Sequence, residues 1–202
     1  MKSYQYPPNL LPVDGKSFYF GRILSKDEEE KFFKDLIGKV DWKHDEVQIF
    51  GKKITTARKN AWYGDREFEY TYSKMTKKAR LWIPELLPLK QRVEQETGLE
   101  FNSCLLNLYH SGEEGMSWHS DAEAELGPEP AIASLSLGVE RRFVFKHKNS
   151  GEKIELQLEP GSLLLMAGET QKYWLHSLPK SKKISEPRIN LTFRNIKKWK
   201  NR

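Results

Sequence analysis

The residues whose types and spacing point to chemistry are His119-Ser120-Asp121, His176 and the run Arg188-Ile189-Asn190-Leu191-Thr192-Phe193-Arg194. His119 and Asp121 are two apart, so on an extended backbone both side chains leave one face and can share an ion. An H-x-D triplet is by itself an ordinary pattern in a chain with five histidines. The third ligand must come from elsewhere, and His176 offers it from a later strand-like segment, Tyr173-Trp174-Leu175-His176. His44, His110 and His147 have no partner of that kind. Two imidazoles and one carboxylate leave three octahedral positions of an Fe(II) open, two for a chelating 2-oxo acid and one for O2. Zinc is satisfied by the same three ligands plus water, and is the competing chemistry.

The arginines decide between the two metals. In 188–194 polar and apolar residues alternate without exception, so Arg188, Asn190, Thr192 and Arg194 line one face while Ile189, Leu191 and Phe193 enter the core. A planar guanidinium binds a carboxylate bidentately, and two of them on one face suit a dicarboxylate. A zinc hydrolase has no evident use for them. Asn107 and Tyr109 repeat the device as two polar tips on one face of the apolar segment Ser103–Tyr109. The bland alternative for 188–194 is an exposed strand with scattered charges.

The elements that must position these residues follow from the rest of the chain. At 202 residues it is read as one domain, residues 1–202. No apolar run approaches the roughly 20 residues that span a bilayer, and no secretory leader is read at the start. The single Cys104 rules out an internal disulfide and reads as a small core residue. A net charge of +6 favours a polyanionic partner. Residues 1–15 read as an irregular arm and Lys16–Ile23 as a strand. Ser25-Lys26-Asp27-Glu28 matches a capping box opening a helix over Lys26–Ile37, with Gly38 ending it. From about 41 to 75 the pattern is strand and turn: a hairpin tipped by Phe50, a turn at Trp62-Tyr63-Gly64-Asp65, then Phe68, Tyr70 and Tyr72 on one face of a strand, flanked by basic residues. A second helix begins near Pro84 or Pro88 and stops at Gly98. Seven strands follow, at 103–109, 131–137, 142–147, 153–158, 162–166, 172–178 and 188–194. The fold class is therefore α+β, with a double-sheet jelly-roll core at about 101–196 and helices in the N-terminal part. The lysines of 180–183 and 197–200 read as a solvated loop and tail.

With these motifs the chain resembles the AlkB family of Fe(II)/2-oxoglutarate dioxygenases, in its branch that repairs alkylated DNA. The likeness runs from about Pro12 onward through Phe50-Gly51, Ala61-Trp62-Tyr63-Gly64, Tyr70-Thr71-Tyr72-Ser73, Asn107-Leu108-Tyr109, His119-Ser120-Asp121, Ala133-Ser134-Leu135-Ser136, Gly161-Ser162, His176 and Arg188 to Arg194. The resemblance implies a double-stranded β-helix core with a nucleotide-recognition lid at about 41–75. It implies Fe(II) on His119, Asp121 and His176. It also implies 2-oxoglutarate on Asn107, Tyr109, Arg188, Asn190 and Arg194, with Arg188 at the distal carboxylate and Arg194 near the chelating one, and Thr192 on the same face. The implied activity couples decarboxylation of 2-oxoglutarate by O2 to hydroxylation of an N-methyl group, whose hydroxymethyl product releases formaldehyde. N1-methyladenine and N3-methylcytosine are the implied lesions.

A base methylated on its pairing edge is already unpaired, so the lesion lowers the cost of its own extrusion. Phe50 matches the apolar finger that fills the gap, Tyr70, Tyr72 and Ser73 the lid over the flipped base, Glu123 an acidic residue near its exocyclic amine, and Arg58 a phosphate contact. Tyr72 stands where a relative of this branch has phenylalanine. The surroundings Trp118-His119-Ser120-Asp121-Ala122-Glu123 are more similar to a single-strand-preferring relative, so both strand preferences stay open. Alternatives are the same oxygenase chemistry on RNA or a protein side chain, and a non-catalytic nucleic-acid-binding module. The expectation is a monomer, not membrane-bound, acting on DNA in the bacterial cytoplasm or a eukaryotic nucleus.

Overall fold

Period-two alternation of apolar residues builds two facing sheets in the computed structural model, which describes residues 4–49, 52–72 and 75–197. In chain order the strands are β1 (Lys16–Arg22), β2 (Lys43–Ile49), β3 (Lys52–Gly64), β4 (Glu69–Tyr72), β5 (Met75–Lys78), β6 (Arg80–Leu81), β7 (Ser103–Tyr109), β8 (Met116–His119), β9 (Ile132–Gly138), β10 (Arg141–His147), β11 (Lys153–Leu158), β12 (Ser162–Ala167), β13 (Trp174–Leu178) and β14 (Arg188–Arg194). The helices are α1 (Lys26–Lys39), α2 (Leu87–Thr97) and α3 (Thr170–Tyr173). The major sheet runs β1-β12-β9-β14-β7-β3-β2 with β6 beside β3; the minor sheet runs β11-β10-β13-β8; β4 and β5 form a pair of their own. This is the expected jelly roll within an α+β chain. Among the described residues no helix is long and apolar enough to cross a membrane.

The alternation decides which core each residue joins. Ile189, Leu191 and Phe193 of β14, Cys104, Leu106 and Leu108 of β7, and Ala133, Leu135 and Leu137 of β9 pack on one face of the major sheet with Leu36 of α1 and Leu89 and Val93 of α2. The other face meets the minor sheet, where Ile132, Leu164 and Met166 pack with Phe143, Phe145, Trp174 and Leu158. Phe193 is fully buried, and truncating such a ring to Ala costs about 3–5 kcal/mol.

The capping box is present in both directions: Glu28 N–H donates to Ser25 Oγ, and Ser25 N–H donates to Glu28 Oε2. Gly98 ends α2 in the left-handed conformation at φ 68°. Three local expectations are corrected. Gly38 does not end α1: the helix continues to Lys39, because Val40 is buried and the Leu36 carbonyl is capped by both Val40 N–H and Trp42 Nε1. Trp62-Tyr63-Gly64 is not a turn but the end of β3, paired with Leu105, Cys104 and Ser103. Gly64 serves close packing there, since a Cβ would lie 2.9 Å from the Asn102 carbonyl. Residues 170–173 form α3, so the strand expected from 172 starts at Trp174. The four-residue β8 is additional to the seven expected C-terminal strands, being too short to show a period.

Candidate active site

His119 ends β8 and stands in register with His176 of β13, their rings 4.2 Å apart by centroid. Asp121 follows two residues beyond the strand end. One ligand atom from each of the three lies within 4.8 Å of the others, and His119 Nε2 is 3.8 Å from Asp121 Oδ1. The Ser117 carbonyl, 2.8 Å from His119 Nδ1, can only accept, so Nδ1 donates to it and Nε2 is the ring atom left toward Asp121. His176 is buried, its ring stacked on Phe143 at 5.5 Å. Burial pushes its pKa down to about 3, so the imidazole is neutral near pH 7, the form that binds a metal. Burial alone raises the Asp121 pKa, but Arg194, His176 and His119 outweigh it and hold the carboxyl below its ordinary range.

The major sheet brings the expected polar face of β14 over this cluster. Arg188 lies opposite Tyr109 and Gly138, and Asn190 opposite Asn107 and Ser136. Arg188 is buried; its NH2 donates to Ser136 Oγ and Asn190 Oδ1, both at 2.9 Å, and its guanidinium lies 5.7 Å from the Tyr109 ring centroid. Both acceptors are neutral, and Arg188 Nε has no hydrogen-bond partner among the described residues. Burial lowers its pKa to about 10, which leaves it charged at neutral pH. Asn190 Oδ1 also accepts from Ser134 Oγ, and Asn190 Nδ2 donates to Thr192 Oγ1, both at 2.8 Å. Thr192 therefore supports Asn190. Arg194, at the other end of the strand, donates to Asp121 Oδ1 at 3.1 Å and Glu123 Oε1 at 3.2 Å.

Arg58 is half-buried and its Nε donates to Asn107 Oδ1 at 3.3 Å. The strand alternation that puts Asn107 inward puts Arg58 on the same side of β3. Glu123 lies beside Arg194 in a recess also lined by Trp62, Leu105, Leu126 and Ile196, and its Oε2 is buried with no partner among the described residues. The β2–β3 hairpin is where the finger was expected, but Phe50 itself lies outside the described residues, as does Ser73. Tyr70 and Tyr72 belong to β4, paired with β5; their side chains lie outside the described residues.

Residues 17–194 match the 2OG-Fe(II) oxygenase superfamily. The chain is 40% identical over 197 residues to the DNA oxidative demethylase ALKBH2 of Mus musculus, covering 92% of this chain and 82% of that one. It is 40% identical to the human protein of the same name, over 92% of this chain and 76% of that one. The alpha-ketoglutarate-dependent dioxygenase alkB homolog 3 of Bos taurus is 41% identical over 184 residues, 84% of this chain and 62% of that one. The chain belongs to the AlkB family of 2OG-Fe(II) oxygenases. Among solved structures, that of OsALKBH1 shares the fold with a TM-score of 0.64 at 16% identity, covering 92% of this chain and 99% of that one.

As a member of the AlkB family the protein is a dioxygenase that uses Fe(II), 2-oxoglutarate and O2. The residues fit that set. Two imidazoles and a carboxylate converge as a facial triad does. Among the described residues Arg188 is a buried cation held by neutral acceptors alone, an arrangement that is costly until a carboxylate joins it.

Two contributors were not apparent in the sequence. Arg141, 1% exposed, donates from NH1 to the Ser111 carbonyl and from NH2 to those of Glu114 and Pro179, and lies 5.9 Å from the Tyr109 ring centroid. Gln171 accepts the Asp121 N–H. Neither carried a signal: Arg141 adjoins the exposed Arg142, and Gln171 sits in one helical turn just ahead of the expected strand at 172–178.

Proposed function

We propose that this protein removes alkyl groups from DNA bases by oxidative demethylation, with N1-methyladenine and N3-methylcytosine as substrates. The observation that carries it is the convergence of the His119, Asp121 and His176 ligand atoms beneath the polar face of β14. The 40% identity to DNA oxidative demethylases supports the choice of substrate.

When bound, Fe(II) with 2-oxoglutarate and O2 supplies the oxidation, converting 2-oxoglutarate to succinate and CO2 and placing one oxygen atom in a C–H bond of the methyl group. The rest is done by the chain. His119, Asp121 and His176 would hold the ion. Arg188 takes the distal carboxylate of 2-oxoglutarate, oriented by Ser136 and Asn190, while Asn107 and Tyr109 line the same face. Arg194 stands by the chelating end through its contact with Asp121. Glu123 Oε2, buried beside Arg194, accepts from the exocyclic amine of adenine or cytosine. The N-methyl group becomes N-hydroxymethyl. Its C–N bond then breaks, returning the electron pair to the ring nitrogen, releasing formaldehyde and a proton, and restoring the neutral base. Phe50 fills the gap in a duplex, and Tyr70, Tyr72 and Ser73 cover the flipped base.

The test is incubation with N1-methyladenine or N3-methylcytosine oligonucleotides, Fe(II), ascorbate and 2-oxoglutarate. Formaldehyde should appear with single- or double-stranded DNA; none from either would refute the reading. RNA of the same sequence is the comparison arm, and a monomer is the expected state throughout.

A further inference from the structure

Of the three ligands, Asp121 is the one strand pairing does not hold. β8 ends at His119, where it pairs with His176, so the Asp121 N–H is left beyond the ladder. Gln171 takes that role: its Oε1 accepts the Asp121 N–H at 2.8 Å, and both residues are buried, Gln171 at 3% exposure. Gln171 lies in α3, one turn ahead of the strand that carries His176. Its Nε2 rests 3.6 Å from Met166 Sδ, a weak acceptor, which leaves the oxygen as the end that meets the backbone donor. The turn is held from its other side by Lys148, whose Nζ donates to the carbonyls of Gln171 at 2.9 Å and Lys172 at 2.8 Å and lies 3.4 Å from Ser120 Oγ. The Lys148 N–H also donates to the Tyr173 carbonyl at 2.8 Å. The segments carrying His119–Asp121 and His176 are thus tied together behind the ligands by atoms that are not ligands.

A buried backbone N–H left without an acceptor costs about 1–3 kcal/mol, so without Gln171 the Asp121 backbone would move toward water or another acceptor. The carboxylate would move with it. Partners that orient metal ligands from outside the coordination sphere change metal affinity by about 10- to 100-fold. We infer that Gln171 is a positioning residue for the metal site: its carboxamide oxygen fixes the Asp121 backbone so that the carboxylate meets both imidazoles at one point, with Lys148 anchoring the Gln171 turn.

The inference rests on the triad being the metal site, and the test separates the two. Co(II), visible by its absorption, is titrated into the metal-free full-length protein and into Asp121→Ala, Gln171→Met, Gln171→Glu and Lys148→Met. Asp121→Ala should lose the Co(II) spectrum; a wild-type titration from it sinks the triad and the inference together. Gln171→Met is close in volume but lacks the acceptor, and should bind Co(II) about 10- to 100-fold more weakly with an altered spectrum. Gln171→Glu keeps an acceptor at the same reach and should recover most of the loss, and Lys148→Met should show a smaller loss than Gln171→Met. Wild-type Co(II) affinity in Gln171→Met beside a lowered melting temperature means a purely structural role and overturns the inference alone. Amide hydrogen exchange in the metal-free wild type gives a reading that does not depend on any variant folding. The Asp121 amide should be protected like that of a ladder residue, and exchange as fast as at the neighbouring exposed Ala122 overturns the inference.

Discussion

β14, which carries Arg188 and Arg194, is hydrogen-bonded along both edges, to β7 and β9, whereas β2 is the edge strand of the major sheet and pairs with β3 alone. β4 and β5, which carry Tyr70 and Tyr72, pair only with each other. The floor of the site is fixed by ladders on two sides and by side chains that bond one another: Ser134, Ser136, Asn190 and Thr192 around Arg188. The rim has ladders on one side and its charges are held by exposed pairs such as Lys78–Glu67. Exposed pairs of this kind contribute little to stability. The difference separates two tasks. The oxidation needs atoms placed to within fractions of an ångström, and its two arginines sit on a strand bonded along both edges. On the proposed reading, choice of nucleic acid falls to hairpins that can vary in sequence without disturbing the floor.

Substitutions should divide along the same line, and the largest effect belongs to the floor. His119→Ala removes a ligand whose side chain is partly exposed, so the fold should survive with a melting temperature near wild type while formaldehyde release falls to background. Metal affinity should drop by more than the roughly 100-fold that oriented outer partners command. Retained turnover in His119→Ala would break the comparison at its base. Next is Arg188→Gln. Loss of one partner from a buried charge pair costs about 3 kcal/mol, which is roughly a hundredfold in the KM for 2-oxoglutarate. The metal-free protein should lose little stability, because an uncompensated buried cation is removed. An unchanged KM would move the dicarboxylate elsewhere.

The rim is tested by Phe50→Ala. An aromatic ring stacked against a base is worth about 1–3 kcal/mol, so duplex turnover should fall roughly tenfold. Single-stranded turnover and the KM for 2-oxoglutarate should stay close to wild type. Equal losses on both DNA forms would remove the wedge role and blur the division between floor and rim.

How much was legible follows the same division. β14 could be read because its residues alternate without exception, and its apolar side, Ile189, Leu191 and Phe193, is fully buried. The pairing of His119 with His176 was legible as chemistry but not as geometry, since β8 is four residues long and shows no period. The bond from Arg58 to Asn107 was not legible, because it depends on β3 continuing into the major sheet, which the apparent turn at Trp62-Tyr63-Gly64 concealed. Gln171 and Arg141 act by donating or accepting at backbone atoms far along the chain, and backbone partners leave no mark in residue types.

The smallest effect concerns what holds the floor from behind. Glu29 of α1 is buried and its Oε1 accepts the Gly138 N–H at 2.6 Å, directly opposite Arg188 in the β9–β14 register. Burial raises its pKa, only partly offset by the Gly138 hydrogen bond and Arg22. A carboxyl whose pKa is higher folded than unfolded favours folding fully below the unfolded value of 4.5, and that contribution is lost as pH rises through the folded value. Glu29→Gln keeps an oxygen for Gly138 and cannot ionise. Its stability relative to wild type, read from urea midpoints, should therefore be greater at pH 7 than at pH 4. An equal difference at both values would mean that Glu29 does not titrate in this range. Because the substitution leaves the Gly138 contact in place, the KM for 2-oxoglutarate should change by no more than about twofold. The preference between single- and double-stranded DNA should change little, since α1 packs against β9, which carries Gly138.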